Sequence, residues 1–481
     1  MFASTVVLES MKLRERMRVL AVVATGFVGL AAASVAQGAA ATAAAFASGN
    51  GLTVKTVKQL DSRLYALTVK TAAVPATLNV RILLPTGYAS HPHRRYPVLY
   101  LLHGTSGTAS DWTVQGNAET VTAGLPLIVV MPDIAINDGG GGWCTNWPDG
   151  RQNWDTFHIH ELIPWVQANL RTLDSRGERA IAGLSQGGFC SMSYAARYPQ
   201  LFGEVLSFSG APDIAWGLAG HLGAMAIINL TEVALDGVAP DTFFGNPVSD
   251  YLNWAAHDPA TLAENLTNTK MYLYFGDGQP GPFDHGLGNP EAVAIETLIN
   301  QDNLQFHDRL QQLGITPTVF DPYGPGTHSW PYWNRDLSWS IGPLMADFAD
   351  PAPPPSSFSY QTADPSYSLY GWSVAITRKA NEFSVLSTTG KSGFTLAGSG
   401  TATVTTPAFY ARRTPYTVST TTAAGTTTAV LETSAHGSLT IPVALGPSDT
   451  IQEYPLGGVP APALGTTVDT TRVAIARGGV M

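Results

Sequence analysis

At 481 residues the chain is too long for one small domain and long enough for two or three. Hydrophobic residues make up 44 % and charged residues only 13 %, which excludes a largely disordered chain. A formal net charge of −10 argues against nucleic acid and anionic membrane surfaces as partners.

Residues 1–45 differ from the rest. Lys12, Arg14, Arg16 and Arg18 precede the apolar run from Val19 to Ala36, and small residues continue to Ala45. That is the order of a secretory signal peptide, with an N-terminal membrane anchor as the alternative. The expected location is secreted, extracellular or in the cell envelope, and removal of this segment makes the remainder more acidic. The two cysteines, Cys144 and Cys190, form neither a disulfide framework nor a metal-ligand spacing. Cys190 falls one turn into a helical pattern, where a buried free thiol is expected.

SRLYALTV (62–69) and LNVRILLP (78–85) alternate as two strands of a hairpin. The next runs are more apolar: 97–104, 125–132, 180–185, 204–210 and 270–276. A more polar strand, 316–324, fits the sheet edge. Helical patterns fill 154–170, 187–199 and 290–313. Apolar strands alternating with helices predict an α/β fold with a mostly parallel central sheet covered on both faces. DFADPAPPPSS (347–357) breaks the pattern, and 349–357 reads as a stiff proline-rich linker. Residues 358–481 are rich in Thr, Ser and Gly with short alternating stretches, which predicts a small β-sandwich. A flexible threonine-rich stalk is the alternative. The expected domains are 1–45 signal peptide, 46–348 catalytic, 349–357 linker and 358–481 β-rich.

Gly183-Leu184-Ser185-Gln186-Gly187 places a serine between an apolar strand and a helix, the context that a G-x-S-x-G nucleophile turn requires. This predicts an α/β-hydrolase fold. A serine hydroxyl needs a base to take its proton. His328, just after the last strand, fits better than His285 in a Gly/Pro-rich loop or His307 in mid-helix. The histidine needs an acid to fix its tautomer. Asp277, Asp284, Glu291 and Glu296 all lie in the right stretch, and spacing does not choose among them. The oxyanion donors are expected to be the main-chain N–H groups of Gln186 and Thr105.

GLSQGG, WDTFHIHELIPWVQANL, ARYPQLF, NLQFHDRLQQLG and GTHSWPYW together resemble the antigen 85 mycolyltransferases. These belong to the wider esterase group that includes S-formylglutathione hydrolases and feruloyl esterases. The resemblance covers about residues 50–345. It implies that Glu296 is the acid, two helical turns before the N-L-x-F-x-D run at Asn303–Asp308. It implies that Trp330 lines the acyl site and that Trp154 matches a second family tryptophan, for which core packing is the ordinary alternative. Where the family has Asp-Gly before the oxyanion residue, this chain has His103-Gly104, with Ser106 at the position of a trehalose-holding Arg. His103 is therefore a candidate substrate contact, and trehalose is not implied as acceptor. After the serine, Gln186 replaces a methionine.

His158/His160 and His91/His93 have poor geometry for a metal pair, and Gly139–Gly142 lacks the Lys-Ser/Thr of a phosphate loop. No metal or cofactor is expected. The glycine run is expected to form a rim near the serine, and 211–265 a cap over the acyl pocket. The function implied is that of a secreted serine esterase or O-acyltransferase. It would move a fatty acyl group from a small-molecule, lipid or carbohydrate ester to a sugar or glyceride hydroxyl or to water, in association with the cell envelope. The alternative is a surface adhesion or matrix-binding protein with a vestigial site.

Overall fold

The computed structural model describes residues 46–136, 139–453 and 468–477. The segment read as a signal peptide lies outside the described residues. Among the described residues, no helix is long and apolar enough to cross a membrane.

A nine-stranded sheet forms the centre, in the spatial order β1-β2-β3-β5-β4-β6-β7-β8-β9. Its strands are β1 (Thr53–Gln59), β2 (Leu64–Lys70), β3 (Thr77–Leu83), β4 (Val98–Leu102), β5 (Ile128–Pro132), β6 (Arg179–Leu184), β7 (Glu204–Phe208), β8 (Lys270–Phe275) and β9 (Val319–Pro322). β1, β2 and β3 pair antiparallel, and β3 joins β5 antiparallel. From β5 through β4 to β9 every pairing is parallel. The apolar runs have a direct cause. Val98, Tyr100 and Leu102 of β4 enter one core, while Leu99 and Leu101 enter another on the opposite face. A strand buried on both sides leaves few positions for polar residues.

Four helices matter for the site: α1 (Gln186–Arg197), α2 (Leu218–Leu230), α3 (Pro290–Gln312) and α4 (Trp330–Ala349). The helix expected over 154–170 is divided into a wider π-type stretch, Thr156–Leu162, and a regular one, Ile163–Asn169. Pro164 near the junction has no N–H to donate, which interrupts the usual ladder.

Beyond 358 the described residues form two antiparallel sheets, one of six strands and one of four. Along Trp372–Thr377, Trp372, Val374 and Ile376 are buried and the residues between them exposed. Ile441, Val443 and Leu445 repeat this facing pattern. The threonine-rich stretch is a paired hairpin, Pro415–Thr422 with Gly425–Glu432, and not an unstructured stalk. The sandwich contacts the far end of α1: Tyr360 Oη donates to Arg197 O (2.7 Å) and Tyr370 Oη to Pro199 O (2.9 Å). Asn265 and the Gln361 main chain exchange two hydrogen bonds of 2.8 Å.

One expectation is overturned. Cys190 is not a free thiol but is bonded to Cys144, 46 residues earlier. The bond ties the rim loop after β5 to α1. Neither the length of that loop nor the helical setting of Cys190 signalled the pairing.

Candidate active site

Ser185 joins β6 to α1 with φ 53° and ψ −122°, a conformation that L-residues rarely adopt. Close approach forces the flanking glycines. A Cβ on Gly183 would lie 2.3 Å from Gly187 O, and one on Gly187 would lie 2.2 Å from His103 O. The turn therefore lifts Ser185 above the carboxyl end of the sheet, at the N-terminus of a twelve-residue helix whose dipole favours negative charge.

Glu296 lies on α3 and is fully buried. Its Oε1 accepts from Ser209 Oγ (2.8 Å) and from the Gly276 N–H (2.7 Å). Its Oε2 accepts from His328 Nδ1 at 2.6 Å. With Nδ1 donating, the neutral ring leaves Nε2 as an acceptor. His328 is further held by its own N–H on Ala292 O (3.2 Å) and by the edge of Trp333, 5.0 Å between centroids.

The same sheet edge carries both halves. The Ser185 N–H donates to Phe208 O (2.9 Å), and the next residue, Ser209, holds Glu296. Contacts thus run from Ser185 through Phe208 and Ser209 to Glu296 and His328. Among the described residues, Ser185 Oγ makes no hydrogen bond and is not directly joined to the His328 ring. Such bonds are commonly long without substrate and tighten in the reacting complex.

The competing acids go elsewhere. Asp284 accepts from the Gly281 N–H, Thr327 Oγ1 and Tyr332 Oη, so it anchors the histidine loop. Asp277 accepts from the Gln279 N–H, and Glu291 is exposed on the first turn of α3. His307 stacks on Phe320, and His285 is exposed.

The N–H groups of Thr105 and Gln186 donate to no other described residue. Gly104 brings the Thr105 loop to Ser185, since a Cβ there would lie 3.3 Å from Ser185 Cβ. The loop is held by Ser106, whose N–H donates to Gly139 O (3.0 Å). Two unpaired donors beside a raised serine can receive an oxyanion.

His103 does not take the place expected of it. It is buried, with Nδ1–H on Gly104 O (2.7 Å) and Nε2 accepting from the Ile134 N–H (3.0 Å). Both ring nitrogens serve the main chain, so it shapes the oxyanion loop and presents no group to a substrate. Trp154 takes the alternative of core packing: it is fully buried, donates to Gln152 Oε1 and stacks on His158 beneath the glycine loop. Trp330 is half-buried, edge-on to Trp112 and Trp333 and two residues from His328.

His158 belongs to the core, between Tyr194 Oη and Asp133 O. Burial pulls its pKa down to about 4. Among the described residues, no three His, Cys, Asp or Glu side chains converge as for a metal. An apolar groove between α2 and α3 is lined by Trp143, Ile214, Ala224, Ile227, Leu298 and Ile299, beside the segment that carries Ser209. Sequence reasoning missed Ser209, the Gly276 N–H and the disulfide. Only Ser209, in the Ser-Phe-Ser-Gly end of β7, had a local signal.

The Esterase sequence profile matches residues 71–341. Esterase Rv1288 of Mycobacterium tuberculosis is 34 % identical over 274 residues, 56 % of this chain and 56 % of that protein. The chain thus spans little more than half the length of that relative. The antigen 85B diacylglycerol acyltransferase/mycolyltransferase of Mycolicibacterium smegmatis is 30 % identical over 255 residues, 51 % of this chain and 76 % of that protein. Among solved structures, MPT51 (FbpC1) of M. tuberculosis is 24 % identical with a TM-score of 0.46, covering 61 % of this chain and 99 % of its own. With its profile match over more than half its length, the chain belongs to the Esterase family, and its relatives include the antigen 85 mycolyltransferases.

Proposed function

We propose that the chain is a secreted serine esterase or O-acyltransferase that works through an acyl-enzyme on Ser185. The observation that carries this reading is the Glu296–His328 pair at 2.6 Å, on the same sheet edge as the raised Ser185. Ser185 Oγ attacks the ester carbonyl as its proton passes to His328 Nε2. The carbonyl electrons move onto oxygen, which the Thr105 and Gln186 N–H groups receive, each worth about 3 kcal/mol of barrier. Collapse expels the alcohol, which takes the proton from His328. Water or a second alcohol then repeats the sequence in reverse.

Glu296 fixes the His328 tautomer and stabilises its positive form. Trp330 borders the acyl site, and the α2–α3 groove is the candidate bed for an apolar chain. A disulfide next to the site favours an oxidising, extracytoplasmic location. The acceptor is a sugar or glyceride hydroxyl, or water. With His103 committed to the main chain, the reading carries no trehalose specificity.

The test is incubation with p-nitrophenyl esters of graded chain length, with and without trehalose or glycerol, and product analysis by mass. Ester cleavage, with acylated glycerol when glycerol is present, supports the reading. No turnover of any ester by folded protein contradicts it.

A further inference from the structure

The oxyanion loop also carries a side chain that main-chain donors leave unused. Thr105 is half-buried, and its Oγ1 donates to Gln186 Oε1 across 3.4 Å, at the weak limit of a hydrogen bond. The Gln186 amide is 3 % exposed. The Gly141 backbone presses on it so closely that a Cβ there would lie 2.3 Å from Oε1 and 2.6 Å from Nε2. Its Nε2 is buried with no acceptor. An orphaned buried amide carries a desolvation cost, which an apolar side chain would avoid. Here that cost is kept between the two residues whose main-chain N–H groups are free.

We propose that the Thr105 hydroxyl is a third oxyanion donor and that Gln186 is the positioning residue that holds it ready. In the resting protein the proton of Oγ1 rests on Gln186 Oε1. As the Ser185 Oγ–carbon bond forms and charge builds on the carbonyl oxygen, the hydroxyl turns about its Cβ–Oγ1 bond and donates to that oxygen. No proton is transferred. Because the resting bond is long, little is given up in the switch and much is gained in the transition state, which is the condition for a contact to raise kcat. The inference rests on the acyl-transfer reading of Ser185.

The test compares Thr105→Val, Thr105→Ser, Gln186→Met and the Thr105→Val/Gln186→Met double variant. Measured are kcat and KM on p-nitrophenyl butyrate, affinity for an alkyl boronic acid, and thermal melting. Thr105→Val is expected to lose about 100-fold in kcat, within the range for one oxyanion donor, with KM nearly unchanged and boronate affinity reduced in parallel. Thr105→Ser restores most of this. Gln186→Met loses about tenfold by itself, since it only orients, and nothing further in the Thr105→Val background. Unchanged kcat in Thr105→Val overturns the proposal, as does an equal loss in Thr105→Ser. A full further loss in the double variant overturns the role of Gln186. Fluorophosphonate labelling of Ser185 in the unmutated protein separates the two levels. Labelling with an unimpaired Thr105→Val sinks this inference alone, whereas no labelling and no turnover sinks both.

Discussion

Glu296→Gln isolates the charge and tautomer roles of the acid, because the structure dictates how the amide must sit. The Oε1 position faces two donors, Ser209 Oγ at 2.8 Å and the Gly276 N–H at 2.7 Å. The serine hydroxyl can turn to accept, but the main-chain N–H cannot. The amide oxygen therefore takes the Oε1 position, and the NH₂ group takes Oε2, opposite His328 Nδ1. Nδ1 must then accept, so the ring proton moves to Nε2, the atom needed to receive the Ser185 proton. The equivalent change in a well-studied serine protease lowers kcat about 10⁴-fold, or about 5.5 kcal/mol of barrier. Folding loses much less, about 1–2 kcal/mol, because both contacts at Oε1 survive in neutral form. The assay is kcat on p-nitrophenyl butyrate beside a thermal melt. A variant that keeps more than about a tenth of the activity would refute this account of Glu296.

Three further outcomes are expected. Cys144→Ser/Cys190→Ser, or reduction, opens a 46-residue loop and should lower stability by about 4 kcal/mol, read from urea melts with and without reductant. Asp336 on α4 is fully buried, with one oxygen on Arg335 and the other unpartnered. Burial, against the pull of Arg335, pushes its pKa up to about 7. Its folded pKa exceeds the unfolded value, so its contribution is complete at acid pH and is lost as pH rises from about 4 through about 7. Asp336→Asn should therefore gain stability relative to the parent at pH 8 and not at pH 4, and an equal change at both would contradict the assignment. Asn265→Ala removes both bonds to Gln361 and one to Ala196 O, and should speed proteolytic cleavage within 350–357. An unchanged cleavage rate would show that the Asn265 bonds do not hold the sandwich in place.

β2 and β3 were legible by their alternation, β4 to β8 as apolar runs bounded by turn residues, and β9 as a more polar edge strand. β1 was not, since nearly all its residues face solvent and it has no buried face to pattern. Helix α4 escaped notice because it starts inside the histidine motif, with Pro331 in its first turn and Pro343 within it. Ser185 and His328 could be read from local context. Glu296 needed the resemblance, because four acids shared the stretch and only packing between α3, β7 and β8 separates them. His103 misled and Trp154 stayed open for one reason: a position in a motif does not tell whether a side chain faces the ligand or supports the loop that does. The disulfide depends on a loop meeting helix α1 across 46 residues, which no local pattern encodes.

The proposed mechanism stands or falls on covalent acylation of Ser185 with His328 as its base. Intact-protein mass spectrometry after a brief pulse of p-nitrophenyl ester, followed by peptide mapping, measures this directly. One acyl mass is expected on the peptide carrying Ser185, none in Ser185→Ala, and a strongly reduced fraction in His328→Ala. An acyl group on another residue, or full turnover by Ser185→Ala, would contradict that mechanism.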